Sequence, residues 1–195
     1  MPSARGWALA IVVLASGCAG PAAPPNAAPA GAARGAARDV FRSALASADA
    51  ALAARDVDSA LARLAEAEAA YRGAEEAWPE DQAIRGLSDL ASRYGKVGRC
   101  MDAPPPEPER DRGSDLMAPP IEGRRRRSVC SALVPAYRAG VAAAETGRHD
   151  EANRHFERAL DVIAWTPYGI PSTAPYERAC RLWIECLRLV VRRDP

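Results

Sequence analysis

The sequence predicts an all-α fold, a bundle of about six antiparallel helices, and three observations lead there. Apolar residues recur at alternating steps of three and four along most of the chain, the spacing of one helix face. Of the 195 residues 44 are alanine, whereas leucine, isoleucine, valine and phenylalanine together number 33. Alanine favours closely packed helices, and so few large aliphatics exclude the β-branched runs that sandwiches, barrels and doubly wound sheets require. Glycines and prolines then punctuate the periodic segments where helices should stop. Charge is balanced, with 26 basic residues against 25 acidic ones, so the low aliphatic content does not signal a charge-expanded disordered chain.

The first helix begins near Arg38 and carries Phe41, Leu45, Ala48 and Leu52 on one face. After Arg55, Asp56 is a good cap, and Ala60, Leu64, Ala67, Tyr71, Ala74 and Trp78 predict a second helix ended by Pro79. Ile84, Leu87, Ala91 and Tyr94 mark a third, to about Arg99. Residues 102–127, with six prolines, six acids and six arginines, read as an exposed linker that interrupts the domain. Ser128 can cap a fourth helix through Val129, Leu133, Ala136, Gly140 and Ala143, which stops near Gly147. A fifth carries Ala152, Phe156, Ala159 and Ile163. Trp165 to Pro175 is a proline-rich loop, and a sixth helix runs from about Tyr176 through Ala179, Trp183, Cys186 and Val190.

The N-terminus gives an address. Arg5, the apolar run Ala8 to Ala15 and the small Ser16 and Gly17 make residues 1–17 a secretory signal peptide, too short to span a bilayer. Ala15-Ser16-Gly17-Cys18 resembles the lipobox of bacterial lipoproteins, which implies that the Cys18 thiol receives a diacylglycerol and the freed amine an acyl chain. Two or more chains anchor a protein stably to a membrane. Alanine rather than aspartate at position 19, by resemblance to the sorting pattern of Gram-negative lipoproteins, implies the outer membrane, facing the periplasm. From Ala19 to Ala37, 17 of 19 residues are alanine, glycine or proline, so residues 18–37 read as a lipidated cysteine and flexible tether. The body predicted to fold is residues 38–193.

A second resemblance lies in that body. Gly140, Gly147, Ala152, Phe156 and Ala159 stand at the small and aromatic positions of a tetratricopeptide repeat, and Ala48, Ala60, Leu64 and Ala67 align in the same order upstream. Asp58-Ser59-Ala60 parallels Asp150-Glu151-Ala152, but 92 residues separate the copies, which is no multiple of the family's roughly 34-residue period. The resemblance therefore implies an irregular helical-repeat bundle. It places candidate protein-binding positions at Val134, Tyr137, Val141 and Glu145 in one groove and at Arg42, Leu45 and Asp49 in the other.

With Cys18 lipidated, Cys100, Cys130, Cys180 and Cys186 remain, an even number in an oxidising compartment, and all four are disulfide candidates. Cys180 and Cys186 lie about 9 Å apart along one helix, too far to pair with each other. Either Cys100 and Cys130 both cross to the last helix, pairing with Cys180 and Cys186 in one order or the other, or they join one another across the proline-rich linker, or no bond forms.

Chemistry of other kinds finds little purchase. His149 and His155 lack an HExxH spacing, and only Glu151 and His155 share a helix face, which is too few ligands for zinc; no metal or other cofactor is expected. Nucleophile-elbow, Walker and dinucleotide glycine patterns are missing, so no catalytic residue is assigned and no enzyme is expected. A net charge of +1 gives nucleic acid no electrostatic hold. Arg124 to Arg127 read as a solvated part of the linker, and Trp165 as a loop aromatic able either to pack or to meet a partner. The expected role is that of a lipid-anchored scaffold that binds a protein or peptide in the cell envelope, with a pilot-like assembly factor as the alternative.

Overall fold

The computed structural model describes residues 30–74, 78–102, 120–166, 170 and 173–193. The signal peptide, Cys18, most of the tether and most of the linker lie outside them. Within them the fold is all-α: α1 Ala30–Ala53, α2 Val57–Arg72, α3 Glu80–Asp102, α4 Pro120–Glu145, α5 His149–Ala164 and α6 Thr173–Arg193.

Four boundaries differ from the sequence reading, each for a local reason. α1 starts at Ala30, eight residues inside the expected tether, directly after its last proline, where alanine dominates and helix propensity is highest. α2 ends at Arg72, with Gly73 at its C-cap still in helical backbone geometry, its N–H bonding the Ala69 carbonyl at 2.9 Å. Trp78 thus belongs to the connection and not to the helix. α4 begins at Pro120, a residue suited to a first helical position, so Arg124 to Arg127 belong to a helix and not to the linker. α6 begins at Thr173, whose hydroxyl donates to the Ile170 carbonyl at 2.7 Å, and Pro175 sits in its first turn.

The six helices form two units of three. A shift of 92 residues carries Val57–Arg72 onto His149–Ala164 and Ala53 onto Glu145, and it carries α3 to within one residue of α6 at each end. The hairpin turns obey the same shift: Arg55, with φ of 58°, corresponds to Gly147, with φ of 75°. Each unit packs all three of its helices on one another, and α3 against α6 is the one extensive helix pair that crosses between units. These two helices run antiparallel, since Asp81 meets Arg193, Ile84 meets Cys186, and Gly98 meets Tyr176.

One continuous core joins the units, and the alanines explain its density. Ala48, Ala60, Ala67, Ala91, Ala152 and Ala159 are fully buried where helices approach closely. Aromatic rings fill the wider gaps by lying on glycines. A Cβ at Gly95 would fall 2.0 Å from the Tyr137 hydroxyl, one at Gly98 would meet the Tyr176 ring at 2.7 Å, and one at Gly140 would meet Phe156 at 2.6 Å. In the first unit Phe41, Tyr71 and Trp78 form a ring cluster with centroids 5.2 to 6.2 Å apart. In the second, Phe156 stacks on Trp183 at 5.8 Å.

Candidate functional site

The two sets of groove positions occupy equivalent places under the 92-residue shift, Arg42 with Val134, Leu45 with Tyr137, and Asp49 with Val141, yet their surroundings differ. Leu45 and Tyr137 are core residues, 5% and 2% exposed, so neither lines an open groove. Helical periodicity marked their face as apolar; a neighbouring element covers it. The Tyr137 hydroxyl donates to the Ala91 carbonyl of α3 at 3.3 Å, and burial pushes its pKa up to about 12. Asp49 is half-buried and held by Arg93 of α3, whose Nη2 stands 2.8 Å from Oδ2. Arg42 is exposed, with Asp39 at 4.0 Å. Val134 and Val141 are partly buried and Glu145 is exposed, so on α4 a strip of accessible surface remains.

At the far end of that strip α3, α4 and α6 bring together a polar cluster. The Cys130 thiol donates to Asp102 Oδ1 at 3.3 Å. Asp102 Oδ2 and the Tyr176 hydroxyl are both buried and lack a hydrogen bond of good geometry. Burial, and then the adjacent Asp102 carboxylate, hold Tyr176 protonated far above the usual phenol range, partly countered by Arg99.

Among the described residues the four cysteines, Cys100, Cys130, Cys180 and Cys186, are free thiols. Both crossed pairings need Cys186 beside Cys100 or Cys130, but Cys186 donates to the Ile84 carbonyl at 3.4 Å. Ile84 precedes Cys100 by 16 positions on α3, roughly 24 Å of helix, far beyond disulfide reach. Direct pairing of Cys100 with Cys130 is not set up either. Asp102 faces Cys130, and Cys100, two positions earlier, points about 160° away around α3. Burial pushes Cys180 up to about 12 and Cys186 up to about 11, which leaves both thiols inert at neutral pH.

A charge ladder between α2 and α6 escaped the sequence reading. Glu68, 7% exposed, takes both Nε and Nη2 of Arg178, accepts from the Tyr94 hydroxyl at 3.3 Å and has Arg72 Nε at 3.9 Å. Arg72 in turn forms a bidentate pair with Glu185, both bonds at 2.5 Å. The available signal was Glu68 itself, an acid standing within the Leu64, Ala67, Tyr71 stripe, since a charge on a core face requires a partner. Its partner lies 110 residues away, beyond any local pattern.

His155 Nε2 stands 3.7 Å from Glu151, as the helical spacing suggested. Among the described residues no three histidines, cysteines or acids converge as a metal site would require, and no helix is long and apolar enough to cross a membrane. Trp78 and Trp183 pack in ring clusters, whereas Trp165 is 86% exposed. Comparison with family models, with curated proteins and with solved structures finds no match.

Proposed function

We propose that this protein is a lipid-anchored scaffold of the cell envelope, tied by Cys18 to the outer membrane on its periplasmic side, and that it holds a protein or peptide partner on the α4 face. The observation that carries the reading is the difference between two equivalent faces. On α1 the face is closed by Arg93 on Asp49, whereas on α4 Val134, Val141 and Glu145 keep accessible surface with no ion pair across it among the described residues. Further support comes from the tetratricopeptide-like positions Ala48, Ala60, Leu64, Ala67, Ala152, Phe156 and Ala159, which are all fully or almost fully buried, as close helix approach in such repeats requires. The anchor rests on Ala15-Ser16-Gly17-Cys18 placed directly after an apolar run.

Two experiments test this. Cys18→Ala is expected to release the protein from the membrane fraction, and retention there overturns the anchor. A photo-crosslinking residue at Val134 or Val141 in intact cells is expected to capture a discrete partner, and at Arg42 it is not; equal capture at all three removes the α4 face from consideration. The alternative, a pilot-like assembly component, is favoured by one observation, the exposed indole of Trp165, which a permanent neighbour would cover. A crosslinker there that traps a single stoichiometric neighbour, with none at Val134, selects that alternative. Neither reading assigns catalysis, a cofactor or nucleic acid.

A further inference from the structure

The connection between α3 and α4 spans residues 103–119; the Cys130–Asp102 contact lies at the end of α3 but ten positions into α4, roughly 15 Å of helix from Pro120, a distance that fewer residues would bridge. Everything else between the two three-helix units is non-covalent. α6 lays Tyr176 on Gly98 and Cys186 against Ile84, α4 lays Tyr137 on Gly95, and α2 grips α6 through Glu68 with Arg178 and Arg72 with Glu185. Buried rings seated on bare backbone make the core of a stable protein interface, and the charge ladder, in which Glu68 is buried while Arg178, Arg72 and Glu185 stay partly exposed, makes its polar rim, unlike a loose contact between flexible domains.

We infer that the chain is a fused pair of three-helix units, and that the α3–α6 surface is a protein–protein interface in its own right whose partner is a three-helix unit of the same plan. Each unit contains its own hairpin and a third helix packed on it. What either lacks is a cover for the glycine-bearing or aromatic-bearing face of that third helix, and the other unit supplies it. Residues 103–119 raise the effective concentration of one unit around the other without being what holds them.

The test cuts the link. A recognition sequence for a site-specific protease, inserted after Gly113 in the otherwise intact mature chain, allows cleavage of folded protein, followed by size-exclusion chromatography and native mass spectrometry. The cleaved protein is expected to elute unchanged, as a one-to-one complex of the two fragments. Release or precipitation of the fragments on cleavage alone overturns the inference. Gly98→Leu, which drives a side chain into Tyr176, is expected to separate the cleaved fragments while the uncleaved chain keeps its mass. Should that variant fail to fold, Arg178→Ala decides: it weakens fragment association at least about tenfold, the effect of leaving Glu68 buried without its arginine. Fragments that remain equally tight in Arg178→Ala show that the ladder is no part of the interface and overturn the assignment.

Discussion

The turn that joins α1 to α2 and the turn that joins α4 to α5 trace one backbone path with different residues. In the first, Arg55 holds the left-handed conformation that Gly147 holds in the second. The first compensates with a cap: Asp56 accepts from the Ser59 amide at 3.0 Å, and this partner, through its side chain and then its backbone, keeps the Asp56 carboxyl below its usual pKa. The second has glycine where the strain would be and lets Arg148 occupy the cap position, its side chain bonding Thr146 and Glu151 and not the first amides of the helix. A given backbone corner can thus be reached by a conformationally free residue or by a strained one followed by a hydrogen-bonding cap. Either suffices.

Changes at the contacts that join the units should outweigh equivalent changes within one unit. Gly95→Ala places a methyl 2.0 Å from the Tyr137 hydroxyl, with backbone on the far side, and should cost ~3 kcal/mol in denaturant unfolding. Gly86→Ala, inside the first unit, meets Tyr71 at 3.2 Å and gains helix propensity, so it should stay within ~1 kcal/mol of the native protein. Equal losses would mean that the contacts between the units are not special. Arg178→Ala should cost ~2 kcal/mol because Glu68 is left buried, less than a fully enclosed pair because the arginine itself is partly exposed. Arg193→Ala, which removes an exposed pair with Asp81, should change stability by under ~0.5 kcal/mol.

The turns can be exchanged. Gly147→Ala should destabilise by about 1 kcal/mol, because alanine resists a φ of 75°, and Arg55→Gly should stabilise by a few tenths, about 0.5 kcal/mol at most. Opposite signs by thermal melting would confirm that the corners are equivalent; matching signs would not. The last contrast concerns pH. Both buried thiols sit on α6, with pKa values raised above the ordinary 9.0. The folded state therefore keeps their protons where the unfolded chain has lost them, so their stabilisation is full below pH 9 and falls as pH rises toward 11 and 12. That loss amounts to about 1 kcal/mol per thiol at pH 10. At pH 8 a thiol reagent should label Cys100 and Cys130 quickly, and Cys180 and Cys186 only on unfolding.

The helices themselves were legible because each apolar stripe is a local pattern: α5 is where Ala152, Phe156, Ala159 and Ile163 placed it. Local patterns fail at ends and at distance. Trp78 fits the α2 stripe by spacing, yet the helix ends at Arg72 and the indole packs back on Phe41 from the connection, 5.2 Å between centroids. The 92-residue spacing was visible in Asp58-Ser59-Ala60 and Asp150-Glu151-Ala152, but measured against a two-helix period it signified irregularity, because the repeating unit has three helices. Of the groove, Leu45 and Tyr137 were misplaced because a sequence shows which face is apolar and not what covers it. The pairing of cysteines and the Glu68 ladder depend on contacts a hundred residues long, to which no periodicity reports.

Solenoids of helical hairpins grow because every unit offers a fresh face to the next. Here α3 and α6 occupy equivalent places in their units and present those faces to each other, antiparallel. Such a contact is isologous in kind, and isologous contacts close. A third unit of the same plan would find both mating surfaces taken, so this arrangement stops at two.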